Sequence, residues 1–216
     1  MTVNRQERVK HFIQFFSKNM PDAKTELEYH NAFELTVAVV LSAQCTDKRV
    51  NIITKNLFKK MPCPEIMAGA SIDAIFKLIR SCSYPRNKAN HLSGLAKMLI
   101  ADFDGKIPSN LQDLQKLPGV GRKTANVVGS VYFDIPAMPV DTHVFRVANR
   151  IGLTIKSKNP IDSELQLTKL FPKEKLNIAH HWLILHGRYL CKARRPDCHR
   201  CGISAICKYF HRKTFC

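Results

Sequence analysis

Long apolar runs are missing from this chain. The most apolar stretch, Ala32 to Ala43, is interrupted by Glu34 and is too short to cross a bilayer, which excludes a conventional membrane span. No apolar signal core follows the charged first ten residues, where Arg5, Glu7, Arg8 and Lys10 stand, so a cytoplasmic protein under reducing conditions is expected. Acidic residues are also scarce. Against 34 Lys and Arg there are 17 Asp and Glu, a formal net charge of +17. Such an excess points to a polyanionic partner, nucleic acid ahead of an anionic membrane surface, with solubility by charge as the bland alternative. Missing too are strand alternation with hairpin turns, a βαβ rhythm, internal repeats and extended heptads. An all-α fold and a monomer are the expectations that remain. At 216 residues the chain can bury a substantial core, as one domain or two small ones.

Helical periodicity is plentiful. Val9, Phe12, Ile13 and Phe16 mark an amphipathic helix ending near Asn19, and Ala32 to Leu41 reads as a buried central helix. Thr46 or Asp47 caps a helix with Val50, Ile53 and Leu57 on one face, which the run Met61 to Pro64 breaks. Ser71 caps the next helix. Ser83 to Asn87 reads as a loop because of Pro85, and a helix bearing Leu92, Leu95 and Leu99 closes at Asp104-Gly105. Asp141 opens a helix with Val144, Val147 and Ile151, and two more run from about Asp162 to Leu170 and Leu176 to Tyr189.

Leu117-Pro118-Gly119-Val120-Gly121-Arg122-Lys123-Thr124-Ala125 is the most informative stretch. A short helix capped by Ser109 precedes it, Pro118 and Gly119 turn the chain, and Gly121 frees the backbone where a second helix begins. Amides at that helix N-terminus suit a phosphate. The bare pattern fits an ordinary tight connection between helices as well; Lys123, on the first turn, adds chemical interest.

Cysteine forms the second signal. Cys191, Cys198, Cys201 and Cys207 stand in the spacing Cys-x6-Cys-x2-Cys-x5-Cys, enough thiolates in one short segment to wrap a single centre. Zinc and an iron–sulfur cluster both suit such a set, and base rates favour zinc slightly. Cys45, Cys63, Cys82 and Cys216 are scattered and read as core or surface thiols. Lys192, Arg194, Arg195 and Arg200 stud the same segment, making it a basic knob suited to phosphate, or simply a solvated loop.

Taken in order, these motifs resemble the endonuclease III family of DNA repair glycosylases, in the helix–hairpin–helix superfamily. Leu41-Ser42-Ala43-Gln44-Cys45-Thr46-Asp47, the hairpin through Val128, Val140 to Val147, His181 to Gly187 and the cysteine quartet carry the likeness. It implies a six-helix barrel domain over residues 25–135 and a second domain from residues 1–24 and 136–216. It also implies a [4Fe–4S] cluster on the four cysteines, against the zinc base rate, and damaged double-stranded DNA between the domains with a pyrimidine flipped out. DNA contacts are expected from Gln44, Tyr84, Lys88, Leu117, Gly119, Val120, Gly121, Arg122, His143, Arg146, Lys192 and Arg194. One stretch departs from the family: Ser83-Tyr84-Pro85-Arg86-Asn87 stands where a glycine and an aliphatic or aromatic residue are common. Tyr84 is then the candidate wedge beside Gln44, or else a loop anchor.

The resemblance assigns catalysis to Lys123 and Asp141. Forming a Schiff base with deoxyribose needs a neutral amine, and a free lysine is neutral in only about one molecule in 2,500 at pH 7. Lowering its pKa by about 3 units costs roughly 4 kcal/mol. A helix N-terminus, the neighbouring Arg122 and burial all push that way. A carboxylate held close would oppose them, so Asp141 is expected to take the proton or steady charge on the sugar. The bland readings are a phosphate contact for Lys123 and a plain N-cap for Asp141. The expected activity is excision of oxidised pyrimidines followed by β-elimination at the abasic site. The alternatives are a non-catalytic helix–hairpin–helix DNA-binding protein and a monofunctional adenine glycosylase; the latter's upstream acid is missing from Val39 to Gln44.

Overall fold

A computed structural model describes residues 3–214, and the chain divides into two compact units. One is Glu26–Ile135; the other combines the chain up to Thr25 with the chain from Pro136 onward. No strand occurs among the described residues, and none of their helices is long and apolar enough to cross a membrane.

The unit of Glu26–Ile135 is built around α2 (Ala32–Ser42), whose residues from Phe33 through Leu41 are all buried. Such a helix needs no polar face, and it packs against α3 (Asp47–Lys60), α6 (Pro85–Asp102) and α8 (Arg122–Tyr132). Asn31 caps it by accepting from the Glu34 amide at 2.9 Å, and the buried Glu34 carboxylate accepts from the His30 amide and ring. Thr46 caps α3. A short helix over the Pro64 break, α4 (Pro64–Gly69), was not expected, and α5 (Ile72–Ile79) follows under its Ser71 cap.

Two boundaries differ from expectation. Residues Pro85 to Asn87 form the first turn of α6 rather than a loop. Proline fits a first helical position because its missing N–H has no helical partner there in any case. The helix before the hairpin, α7, spans only Leu111–Leu114, with Asn110 instead of Ser109 as cap. Asn110 accepts from the Asp113 amide at 2.9 Å and donates to the Asp113 carboxylate at 2.7 Å, a reciprocal pair that Ser109 is one residue too early to make.

In the second unit, α1 (Arg5–Asn19) starts with a capping box between Asn4 and Glu7. It is joined by α9 (Thr142–Ile151), α10 (Pro160–Leu170), α11 (Leu176–Tyr189) and α12 (Lys208–Thr214). Phe12 and Phe16 are fully buried against Trp182, with ring centroids 6.1 and 5.9 Å away, and Phe171 meets Phe12 edge-on. The indole N–H donates to the Met20 carbonyl at 2.8 Å, so the chain leaving α1 is tied to α11 by its polar tip as well.

Trp182 is the sole tryptophan and reports on this core. Phe12→Ala is expected to lower the unfolding free energy by about 3–5 kcal/mol, read from Trp182 fluorescence in urea. Burial holds His181 down to about 4, below its ordinary 6.5. The unfolded chain therefore binds the extra proton between those values, and stability falls as pH drops through that window. Urea titrations at pH 7.5 and 5 are expected to differ by on the order of 2 kcal/mol from this residue, and His181→Gln is expected to remove that part.

Candidate nucleic-acid interface

Between α7 and α8 the chain makes the expected hairpin. The Leu117 amide donates to Leu114 O at 3.2 Å and the Val120 amide to Leu117 O at 3.0 Å. Gly119 sits at φ +81°, and a Cβ there would lie 2.9 Å from His91 Cβ on α6. Conformation and close approach both demand glycine. Leu117 and Val120, expected among the DNA contacts, have buried side chains. They are apolar pegs that fix the hairpin on the core, leaving backbone as all they can offer a phosphate.

Gly121 is the N-cap of α8, and no side chain caps that helix. The amide dipoles of a helix N-terminus of this kind suit an anion. Arg122 and Lys123 are exposed on the first turn. The helix N-terminus and the neighbouring guanidinium are two influences that this stretch brings to the amine.

Gln44 and Tyr84 lie on two loops of the same unit. Both are exposed, and both have positive φ, 54° and 51°. Left-handed backbone at residues without glycine's freedom costs on the order of 1–3 kcal/mol each and persists only where the surroundings enforce it. Those surroundings are explicit here. Ser83 Oγ donates to Ala43 O at 2.8 Å, joining the two loops. Lys88, expected at the DNA surface, is instead buried at 5% exposure. Its Nζ donates to Leu41 O at 2.8 Å, Ala43 O at 2.7 Å and Ser83 Oγ at 3.0 Å, one acceptor for each ammonium proton. Burial pushes its pKa below the ordinary lysine value, with the thiols of Cys82 and Cys45 opposing. Ser83 was read only as the start of the stretch that departs from the family, without a role of its own.

In the other unit, Asp141 is the N-cap of α9, accepting from the Val144 amide at 2.8 Å through Oδ1. Arg146, one turn on, was expected on DNA but is turned inward. Its Nη2 donates to Gly187 O at 2.8 Å, Cys191 O at 3.2 Å and His143 Nδ1 at 3.3 Å, and its Nε to Cys191 O at 3.3 Å. The side chain ties α9 to the end of α11, with His143 held in the same network. Gly187 permits this, since a Cβ there would stand 2.9 Å from Val147 Cγ2 and 3.1 Å from His143 Cβ.

The four cysteines follow α11 directly, and all are free thiols. Burial first, then the charges of Cys207, Cys191 and Cys198, pushes Cys201 up to about 11; Cys207 is raised by burial, with Cys191 and Cys198 adding. Arg150 was missed in the sequence. It donates toward Cys191 Sγ at 3.5 Å and to Lys192 O and Ala193 O at 2.7 Å each, while its guanidinium stacks over Tyr209 at 4.6 Å. His186 Nε2 stands 3.7 Å from Cys201 Sγ. Lys192, Arg194 and Arg195 are exposed. No group of three or more His, Cys, Asp or Glu among the described residues is gathered tightly enough for a single metal ion. An all-thiol donor set suits either a structural zinc or an iron–sulfur cluster. Cys216 lies outside the described residues.

Residues 37–173 match the HhH-GPD superfamily of base excision DNA repair proteins. Endonuclease III of Rickettsia conorii is 49% identical over 202 residues, 94% of this chain and 96% of that protein. Endonuclease III of Bacillus subtilis is 46% identical over 87% of this chain and 86% of its own length. Among solved structures, a trapped covalent endonuclease III–DNA intermediate, an estranged-adenine complex, is similar with a TM-score of 0.92 and 42% identity, covering 97% of this chain and 98% of that one. A non-covalent endonuclease III–DNA complex matches with the same TM-score and identity over 98% and 99%. The hairpin that turns on Gly119, the helical fold and these likenesses over nearly the whole length lead to one conclusion: the chain belongs to the endonuclease III family within the HhH-GPD superfamily.

Proposed function

We propose that Lys123 supplies the attacking amine, and Asp141 the proton-handling carboxyl, of an enzyme that excises oxidised pyrimidines from double-stranded DNA. The chain is a base excision repair N-glycosylase and abasic-site lyase. The observation that carries the residue assignment is Lys123 itself, exposed on the uncapped first turn of α8 beside Arg122, directly after the hairpin that suits a DNA phosphate. Bound DNA then adds to the desolvation of the amine. The neutral amine bonds to C1′ of the sugar as the bond to the base breaks, and the base leaves with a proton. Asp141 takes the proton released from the amine. Asp141 returns that proton to O4′ as the C1′–O4′ bond breaks, opening the sugar to an iminium; the iminium acidifies the 2′ position, and loss of a 2′ proton expels the 3′ phosphate, nicking the strand 3′ to the abasic site.

Gln44 and Tyr84 fill the space that the flipped base leaves, and the hairpin with Arg122, Lys192 and Arg194 grips the backbone. Flipping favours weakly stacked, damaged bases and so contributes selectivity before any pocket contact is made. Cys191, Cys198, Cys201 and Cys207 hold a [4Fe–4S] cluster whose contribution is structural, closing the loop that displays the exposed cations. A monomer in a DNA-associated, cytoplasmic setting completes the reading.

Borohydride reduction with abasic-site duplex is expected to give a covalent adduct with the wild type and none with Lys123→Ala. An undiminished adduct in that variant, or no adduct in the wild type, leaves a non-catalytic DNA clamp as the better account. Asp141→Asn keeps a good N-cap and therefore the fold, yet is expected to slow base release on the order of 100- to 10,000-fold in single-turnover assays. Protein purified without air is expected to be yellow-brown and to carry iron and sulfide; a colourless preparation with stoichiometric zinc would remove the cluster.

A further inference from the structure

Three features of the Glu26–Ile135 unit converge on one buried ammonium. The C-terminus of α2 leaves the carbonyls of Leu41 and Ala43 beyond the reach of the helical ladder, and its last turn carries no basic residue of its own. The cation that satisfies them comes from α6: Lys88 Nζ contacts both carbonyls and Ser83 Oγ. Ser83 closes the triangle by donating to Ala43 O. The residues immediately following two of these acceptors are Gln44 and Tyr84, exposed and held in the left-handed region.

We infer that Lys88 is a positioning residue: by binding the Leu41 and Ala43 carbonyls and the Ser83 hydroxyl at once, it locks the Gln44 and Tyr84 loops into a single two-pronged wedge. The inference rests on the reading that these two side chains fill the gap in the duplex. Two separately mobile loops would have to order at the moment of base flipping, whereas a pair fixed in advance makes that adjustment during folding. An apolar residue of similar length at position 88 would fill the same volume but leave the carbonyls without a donor, so shape alone cannot reproduce the lock. Burial pushes the Lys88 pKa below the ordinary lysine value, so the ammonium depends on its three acceptors.

The test compares two DNA substrates that differ in their need for a wedge. The first is a duplex with one thymine glycol, scored for single-turnover base release. The second carries an abasic site inside an unpaired bubble with duplex flanks, scored for borohydride trapping. Lys88→Met is expected to lower base release on the order of 100-fold while trapping in the bubble stays within about twofold. A merely structural role would lower both together; equal losses, or no loss on either substrate, overturn the inference. Should Lys88→Met fail to fold by circular dichroism, Ser83→Ala decides the matter, with an expected selective loss of about tenfold on the duplex. Ser83→Thr, which keeps the hydroxyl, is expected to restore the wild-type ratio between substrates, and failure to restore it counts against the lock. A wild type that neither releases base nor traps DNA would instead refute the glycosylase reading beneath the inference, an outcome distinct from a wild type active on both with an unselective Lys88→Met.

Discussion

Backbone groups left over at helix ends are the constraint on which the chemistry of this molecule depends. An α-helix cannot satisfy its first amides or its last carbonyls internally, so each end must find a side chain, water or a ligand. Three ends here find three different solutions. The start of α8 has glycine as its cap, which brings no side chain of its own to the helix's positive end. The start of α9 is closed by Asp141, placing a carboxylate where the helix dipole favours negative charge. The end of α2 is closed by the Lys88 ammonium, borrowed from another helix. The proposed grip, proton handling and wedge each sit on one of these termini.

That arrangement redistributes the basic charge suggested by composition. Arg122 and Lys123 at the hairpin, and Lys192 and Arg194 in the cysteine segment, are exposed. Lys88 and Arg146, equally basic in sequence, spend their donors on carbonyls within the fold. The buried Lys88 and the half-buried Arg146 act as struts, each connecting segments far apart in the chain. The interior use of Arg146 also explains the requirement at position 187, where a methyl group would collide with Val147 and His143.

Local signals carried most of the secondary structure. The Asp141 cap, the Thr46 and Ser71 caps and the turn at Gly119 were all legible because each depends on residues within a few positions of itself. Pro85 misled as a breaker since a first helical turn tolerates proline, and α4 hid behind two prolines for the same reason. The site was legible in its motifs and poorly legible in its directions. Whether Lys88 or Arg146 faces solvent is decided by carbonyls 45 residues away in each case, which no periodicity encodes. Arg150 beside Cys191 and Ser83 beside Ala43 went unseen for that reason.

The partnership of α1 with Trp182 also shapes how the chain is made. The indole and the Met20 carbonyl it binds are 162 residues apart. At ribosomal speeds of roughly 5–20 residues per second, α1 waits on the order of ten to thirty seconds for its mate. Throughout that interval Phe12 and Phe16 form a greasy stripe on a nascent helix with nothing to cover it, while the Glu26–Ile135 unit can already condense behind it. Newborn chains therefore pass through a half-built stage in which this stripe still lacks its cover.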